Sequence, residues 1–449
     1  MEERHLQTTL LVPPDGGYGW VIVLSSILQH WCVIPTMPMF GLIFGSKFSE
    51  FQTTPTEKTS IFAAFVLSWN LTTMFVGPLV QLRSERFVAF CGTSFTITGL
   101  LICAFSTNTF SLAVGYGLVF GIGIGLVGTN GILIISKYFR EKIVLAFSLF
   151  ASAVGIASLV LPQLIKLLLF KFSGQQVILI YAALSCVGYV GAILMLDVNP
   201  FMKKIPNDDF EPLQTKPLKE NVWDEPKREK IQEEENSCFH QMLIIRVLCM
   251  IKWKLLSNPY FLMISLGTSL LHCSLMFYVS SIRTISAERG LNVPDTADII
   301  SVIAFSDILT RLFQGVLGGA GFVQKRFTNP KKSILTIMGL GLSASLITVA
   351  YASDFVSLAV CVCLCSLFIS GILINGPIVY GELFPENLSS ALGLSDMIKG
   401  LLATLLGPAT GLLNSYFGSF NAALYLLSGA TFSFMILWLL VDLLHACRK

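Results

Sequence analysis

The chain has little charge for its length. Only 13% of its 449 residues are Asp, Glu, Lys or Arg, whereas a soluble domain carries about 25%. Hydrophobic residues make up 54%, and this balance excludes an ordinary soluble domain and predicts a polytopic membrane protein. The net charge of +3 gives no reason to expect a nucleic-acid partner.

Patterns that would hold a metal, a nucleotide or a disulfide framework are also missing. The 11 cysteines lie mostly in apolar runs and form no ligand-spaced cluster with the 5 histidines. The glycines from Gly121 to Gly125 lack the strand–turn–helix setting of a nucleotide loop, and no nucleophile–base set is evident. We therefore predict no cofactor, no metal site and no enzymatic activity. The polar N-terminus and the long first apolar run predict that no signal peptide is cleaved.

What the chain has instead is apolar runs. They lie at about 19–44, 60–82, 87–106, 110–135, 143–165, 176–196, 259–282, 297–318, 333–353, 355–380, 390–414 and 420–443. The pattern predicts an all-α polytopic membrane protein with twelve transmembrane helices in two six-helix bundles.

We predict five segments along the chain. They are an N-terminal tail (1–18), an N-terminal six-helix bundle (19–196), a linker (197–257), a C-terminal six-helix bundle (258–443) and a C-terminal tail (444–449). The linker is rich in charge and proline and reads as solvated. At its end, residues 239–254 mix apolar and basic residues, which fits either an amphipathic helix on the membrane surface or a polar extension of the seventh span.

Lysine and arginine gather in the connections on one side of the membrane, which predicts that both tails and the linker are cytosolic. The residues concerned are Arg83, Arg86, Lys137, Arg140, Lys142, Lys325, Arg326, Lys331 and Lys332. Four basic residues fall on the opposite side and weaken the contrast: Lys166, Lys171, Arg283 and Arg289.

Asp307 and Arg311 stand inside the apolar eighth run. They are four residues apart, so a helix places both on one face. A charge at this depth costs about 2.5–3.5 kcal/mol on insertion scales, so such residues normally face the protein interior. The pair fits an anion site with a titratable carboxylate beside it. The alternative is a neutralised pair that only bridges helices.

Two motifs near the first and fifth runs are specific. Asp15, Gly16, Gly17, Tyr18, Gly19 and Trp20 open the first run, and Tyr138, Phe139, Arg140 and Lys142 precede the fifth. The first motif matches the signature of the monocarboxylate transporter family within the major facilitator superfamily, and the second matches it in part. The chain resembles this family over its whole length.

The resemblance implies a plasma-membrane secondary transporter for a small organic anion, most simply a monocarboxylate. Asp307 and Arg311 fall on the family's Asp-x-x-x-Arg pattern, so Arg311 would pair with the substrate carboxylate and Asp307 would carry a proton. Some family members also need a single-span immunoglobulin-type partner, although no residue of this chain points to one.

One departure from the family concerns the first run. Proton-coupled members carry a lysine there, and this chain has none between Pro35 and Phe40. His30 is the only titratable residue of that helix, and a packing role is the plain alternative for it. Asp396 and Lys399 share a face of the eleventh run, where Lys399 either lies deep or extends to the cytosolic interface.

Three functions therefore stay open at this stage. The first is a monocarboxylate transporter, with or without proton symport. The second is a proton-independent facilitator of aromatic amino acids or other amphipathic or zwitterionic solutes, with Phe40 and Trp69 as aromatic lining. The third is a non-transporting membrane sensor or scaffold, for which an intramembrane Asp–Arg pair has no purpose.

Overall fold

The computed structural model describes residues 9–139, 142–198, 200, 203–206, 252–318, 330–384 and 388–447. Arg140, most of the linker and the predicted amphipathic segment lie outside the described residues, as do Lys325 and Arg326.

Helices occupy the six apolar runs of the N-terminal half. They are α1 (Tyr18–His30), α2 (Phe40–Ile43), α3 (Gly45–Glu50), α4 (Pro55–Leu82), α5 (Glu85–Ala104), α6 (Thr109–Leu112), α7 (Gly121–Tyr138), α8 (Ile143–Lys171), α9 (Gly174–Ser185) and α10 (Val187–Leu194). The first run breaks between α1 and α2 into a 3₁₀ turn, Ile34–Thr36. Pro35 and Pro38 lie in this break, where each removes a backbone N–H from the helical ladder. A π-helical segment, Ala113–Phe120, joins α6 to α7.

The C-terminal half follows the same plan after a 3₁₀ turn at Trp253–Ser257. Its helices are α11 (Pro259–Ser280), α12 (Ile282–Glu288), α13 (Val293–Gly318), α14 (Pro330–Tyr351), α15 (Phe355–Leu383), α16 (Leu388–Phe417) and α17 (Asn421–Cys447). Asn258 caps α11, since its side-chain oxygen accepts from the N–H groups of Tyr260 and Phe261.

Ten helices of the described chain are long and apolar enough to cross a membrane. α13 carries four charged residues within its 26, and the apolar part of α14 is the shorter segment Leu335–Tyr351. The predicted all-α membrane architecture is confirmed, while the count of twelve spans stays a prediction.

One small sheet was not predicted. β1 (Thr9–Val12) pairs antiparallel with β2 (Lys203–Pro206), so that Thr9 lies opposite Pro206. The pairing joins the segment before α1 to the segment after α10.

Two antiparallel helix pairs form most of the contact between the halves: α4 with α16, and α8 with α13. At the first, a Cβ on Gly411 would lie 2.2 Å from Thr59 Oγ1 and 2.4 Å from Thr56 Cα. At the second, a Cβ on Gly155 would lie 2.7 Å from Ile308 Cγ1. Glycine at these positions therefore permits the close approach of the two halves.

Candidate functional site

Asp307 and Arg311 form an ion pair along one face of α13. Nη2 of Arg311 lies 2.9 Å from Oδ2 of Asp307, and the side chains are 29% and 19% exposed, respectively. Because both charges sit on a helix of predominantly apolar residues, each one neutralises the other within the bundle.

The second oxygen of Asp307 has its own donor. The hydroxyl of Ser370, on α15, donates to Oδ1 of Asp307 at 2.5 Å. Ser370 also donates to the carbonyl of Ser366 on its own helix. Sequence reasoning missed Ser370, because 63 residues separate it from Asp307 and only the packing of α13 against α15 brings the two together.

Arg311 keeps unused hydrogen-bonding capacity. Its Nε is buried and has no hydrogen-bond partner among the described residues. A guanidinium carries five N–H donors in a fixed fork that matches a carboxylate. A buried polar group without a partner costs about 1–3 kcal/mol, so an anion that reached this edge of Arg311 would recover part of that cost.

A second acid–base pair lies on α16. Nζ of Lys399 lies 2.5 Å from Oδ1 of Asp396, and Lys399 is 19% exposed. Oδ2 of Asp396 accepts from the hydroxyl of Thr73, on α4 of the opposite half, at 3.4 Å. Lys399 therefore forms an ion pair with Asp396 at the contact between the halves. Thr73 had no sequence signal of its own.

Trp69 lies near this second pair. Its ring stands edge-on to the imidazole of His272, with centroids 6.1 Å apart. The thiol of Cys273, the residue after His272, donates to the backbone carbonyl of Lys399 at 3.5 Å. Trp69 from α4, His272 from α11 and the Lys399 backbone from α16 therefore meet where three helices converge.

His30 and Phe40 lie in the packed interior of the N-terminal half. Nδ1 of His30 is 2.8 Å from the carbonyl of Ser26, and its ring meets Phe150 edge-on at 4.8 Å. Phe40 is 4% exposed and contacts Tyr116 at 4.9 Å between centroids. These contacts are those of packing residues, and Phe40 also borders the cavity described below.

One end of the contact between the halves is held by polar groups that sequence reasoning did not combine. Nζ of Lys166, on α8, lies 3.0 Å and 3.1 Å from the two carboxylate oxygens of Asp298 on α13. The amide of Gln163 donates to Asp298 and to Ser301. The available signal was Lys166 itself, a basic residue on the side of the membrane where few were expected.

A cavity of about 680 Å³ lies at this same end of the bundle, where α4 begins and α16 ends. We call it the vestibule, and both halves line it. Its basic lining residues are Lys58, Lys166 and Arg283, and its aromatic ones are Phe40, Phe48, Phe62, Phe170 and Phe420. Neither Asp307 nor Arg311 lines it.

Comparison with known proteins identifies the architecture. A model of the Major Facilitator Superfamily matches residues 19–319. The chain belongs to the major facilitator superfamily. Monocarboxylate transporter 12-B of Danio rerio is 25% identical over 98% of this chain and 90% of its own length. Monocarboxylate transporter 12 of Xenopus laevis is 24% identical over 100% and 93%, respectively.

A solved structure supports the same fold. A POT family transporter, in complex with a thioalcohol-conjugated peptide, superposes with a TM-score of 0.70 at 14% identity, over 96% of this chain and 98% of that one. The predicted resemblance to the monocarboxylate transporter family is confirmed. The chain is an integral membrane protein of a transporter family, surrounded by lipid and acting on a small molecule. The relatives are transporters and not enzymes, as predicted.

The two family motifs of this transporter contact each other at the start of α1. The N–H of Asp15 donates to the carbonyl of Tyr138 at 3.1 Å, and the N–H of Lys142 donates to Oδ1 of Asp15 at 3.3 Å. The rings of Trp20 and Phe139 lie 4.8 Å apart. The motifs therefore join α1 to the connection between α7 and α8.

Two glycines of the first motif permit this close contact. Gly17 has a φ of +55°, which favours glycine, and a Cβ on Gly19 would lie 2.9 Å from Cζ of Phe139. The hydroxyl of Tyr18 donates to the carbonyl of Leu194, and that of Tyr138 to the carbonyls of Leu196 and Asp197. Gly16 has open space around it. These bonds hold the ends of α1, α7 and α10 together.

Proposed function

We propose that this protein moves a small organic anion, a monocarboxylate, across the plasma membrane by alternating access, in symport with protons. The observation that carries the proposal is Arg311: a guanidinium inside the bundle that is paired with Asp307 through Nη2 and has no partner at Nε among the described residues. The names of the relatives, monocarboxylate transporters, support the same ligand class.

The role proposed for Asp307 follows from its two contacts. While ionised, Asp307 holds Arg311 on one oxygen and accepts the Ser370 hydroxyl on the other. Protonation would remove the charge that holds the guanidinium, which would then be free to take the substrate carboxylate bidentately. Release of the anion and of the proton would restore the pair. This sequence couples one proton to one carboxylate.

Alternating access would use the two helix pairs between the halves. The contacts at Thr59 and Gly411 and the bond between Lys166 and Asp298 hold one end together. In the orientation that the basic connections predict, with cytosolic tails, this is the outer end. Opening it would require α16 to move from α4 and the Lys166–Asp298 bond to break.

A second candidate is a proton-independent facilitator of aromatic or zwitterionic solutes. Two observations favour it: the first run has no lysine, and Trp69 and His272 stand beside Lys399 at the contact between the halves. In this case Asp307 would only hold Arg311 in place. A single-span immunoglobulin-type partner stays a proposal drawn from the family alone.

Uptake by expressing cells separates the candidates. The substrates are labelled lactate, pyruvate, a ketone body and an aromatic amino acid, with external pH stepped from about 7.5 to 6. Proton symport predicts monocarboxylate uptake that rises on acidification and is lost in Arg311→Ala. Uptake that ignores the step, or that is confined to the amino acid, would favour the facilitator.

A further inference from the structure

The vestibule contains two basic residues without an acidic partner. Neither Lys58 nor Arg283 has a carboxylate within ion-pair distance in the described part of the chain, although both are half-buried. Lys166, the third basic residue of the lining, is instead paired with Asp298. Desolvated charges are normally paired, so two cations left over in one cavity point to a negatively charged ligand.

Arg283 is fixed in place by neutral groups. Its Nη1 donates to the hydroxyl of Thr296 at 3.0 Å and to the carbonyl of Leu291 at 3.4 Å. A Cβ on Gly41 would lie 2.7 Å from Cβ of Arg283, so the base of the side chain packs closely on the N-terminal half. Burial lowers the pKa of Arg283, but a guanidinium starts so far above neutrality that it stays charged.

The charge of Lys58 faces an aromatic ring, with no carboxylate within ion-pair distance among the described residues. Its Nζ lies 5.5 Å from the centroid of the Phe48 ring, a cation–π contact. Phe40 and Phe62 line the same cavity, and their centroids are 5.4 Å apart. The vestibule therefore offers cationic groups beside an apolar aromatic wall.

We propose that the vestibule is a second anion site, which binds an apolar carboxylate between Lys58 and Arg283 with its hydrocarbon part against Phe40 and Phe62. This site is separate from Arg311, and only the class of its ligand rests on the proposed function. Because Lys58 comes from the N-terminal half and Arg283 from the C-terminal half, a bound carboxylate bridges the two. An aromatic carboxylate such as benzoate matches the wall and the charge together.

The test is direct binding, which needs no transport. Benzoate binding to the purified full chain in lipid nanodiscs would be titrated by saturation-transfer NMR, with benzamide and chloride as comparison ligands. The background is Arg311→Ala, so that remaining benzoate binding reports the vestibule. Arg283→Gln, Lys58→Gln and the control Lys171→Gln, an exposed lysine that does not line the cavity, would each be added to it.

The proposal predicts that benzoate still binds in the Arg311→Ala background and binds at least about tenfold more weakly when either vestibule charge is removed. Lys171→Gln should change nothing, and Arg283→Lys should restore part of the affinity, which separates lost charge from lost folding. The proposal is overturned if Arg311→Ala alone abolishes benzoate binding, if benzamide binds equally well, or if chloride displaces benzoate at equal concentration. Failed uptake with intact binding would count against the proposed function alone.

Discussion

The C-terminal half holds two intrahelical acid–base pairs that look alike in sequence and differ in their surroundings. On α13, Asp307 accepts a hydrogen bond from Ser370 of the same half, and Nε of its partner Arg311 has no partner in the described chain. Asp396 and Lys399 on α16 instead reach the opposite half: Oδ2 of Asp396 accepts a hydrogen bond from Thr73.

From this difference we infer that one pair is suited to bind a ligand and the other to hold the two halves together. Arg311 keeps an unused donor beside the one that holds Asp307, so its guanidinium can take a carboxylate bidentately once Asp307 is protonated. A lysine that is paired with an aspartate, which in turn bonds across the halves, gains nothing from a ligand unless that contact opens. We therefore propose that Arg311 binds the substrate and that Asp396 and Lys399 help to join the two halves.

The largest expected effect comes from replacing the planar guanidinium of Arg311 with an ammonium group, which keeps the positive charge. Arg311→Lys should lower carboxylate uptake about 10- to 100-fold, because one charge-assisted hydrogen bond is lost and an ammonium cannot bind bidentately. Lys399→Arg is the matched control and should change uptake by less than about threefold. Equal losses in the two variants would remove the distinction between the pairs.

Neutralising each carboxylate in turn tests which pair responds to protons. Asp307→Asn should abolish the rise of uptake between about pH 7.5 and 6, since an amide keeps the size of the side chain but cannot be protonated in this range. Asp396→Asn should retain the rise, although total uptake falls. The readout is the ratio of initial rates at the two pH values, and a preserved ratio in Asp307→Asn would contradict proton coupling through this residue.

The α4–α16 contact should tolerate no added volume. A methyl group at Gly411 meets the backbone at Thr56 Cα, 2.4 Å away, so Gly411→Ala must push the end of α16 from the start of α4. We expect uptake to fall about 3- to 10-fold and the accessibility of a cysteine placed at Ser415 to a water-soluble thiol reagent to rise. Gly429→Ala, where a Cβ has nothing within 4 Å, is the control.

Replacing both Asp396 and Lys399 should lower the thermal stability less than replacing Asp396 alone. Asp396→Asn leaves Lys399 without its partner in the bundle, whereas the double variant with Lys399→Met leaves no uncompensated charge. The double variant should therefore regain a large part of the thermal stability that the single variant loses, measured as the unfolding temperature in one detergent. No recovery would indicate that Asp396 acts through Thr73 and not through Lys399.

The smallest expected effect is that of Ser370→Ala. It removes one hydrogen bond to Asp307 while the ion pair with Arg311 stays, so at the low end of a hydrogen bond's net contribution, about 0.5 kcal/mol, uptake should change by roughly threefold or less. Its signature is a shift of the pH dependence toward higher pH, because a carboxylate that loses a donor is protonated more easily. An unchanged pH profile would show that the hydroxyl does not tune Asp307.

Local sequence patterns predicted the helices and both acid–base pairs, because spacing along one helix decides which residues share a face. Contacts between helices had no such signal. Ser370, Thr73 and Asp298 are ordinary polar residues whose importance comes from the helix that they face. Pro35 lies at the break in the first run and explains it locally, whereas the pairing of β1 with β2 joins segments too far apart in sequence to be predicted from either one.

Three of the four basic residues that weakened the orientation pattern have defined contacts. Lys166 pairs with Asp298, and Arg283 lines the vestibule. Arg289 donates to the carbonyl of Ala352 at 2.6 Å and to Asn421 at 2.8 Å. Each of these three residues therefore has contacts inside the protein, so its position does not count against the predicted orientation.

Lactate counterflow in proteoliposomes tests the central claim most directly, because it measures substrate binding and exchange without a proton gradient. Wild-type protein, Arg311→Ala and Lys399→Ala would be compared at equal reconstituted amounts. The account predicts that exchange is abolished in Arg311→Ala and slowed but retained in Lys399→Ala. Exchange retained in Arg311→Ala and lost in Lys399→Ala would move the substrate to α16 and contradict the assignment of the two pairs.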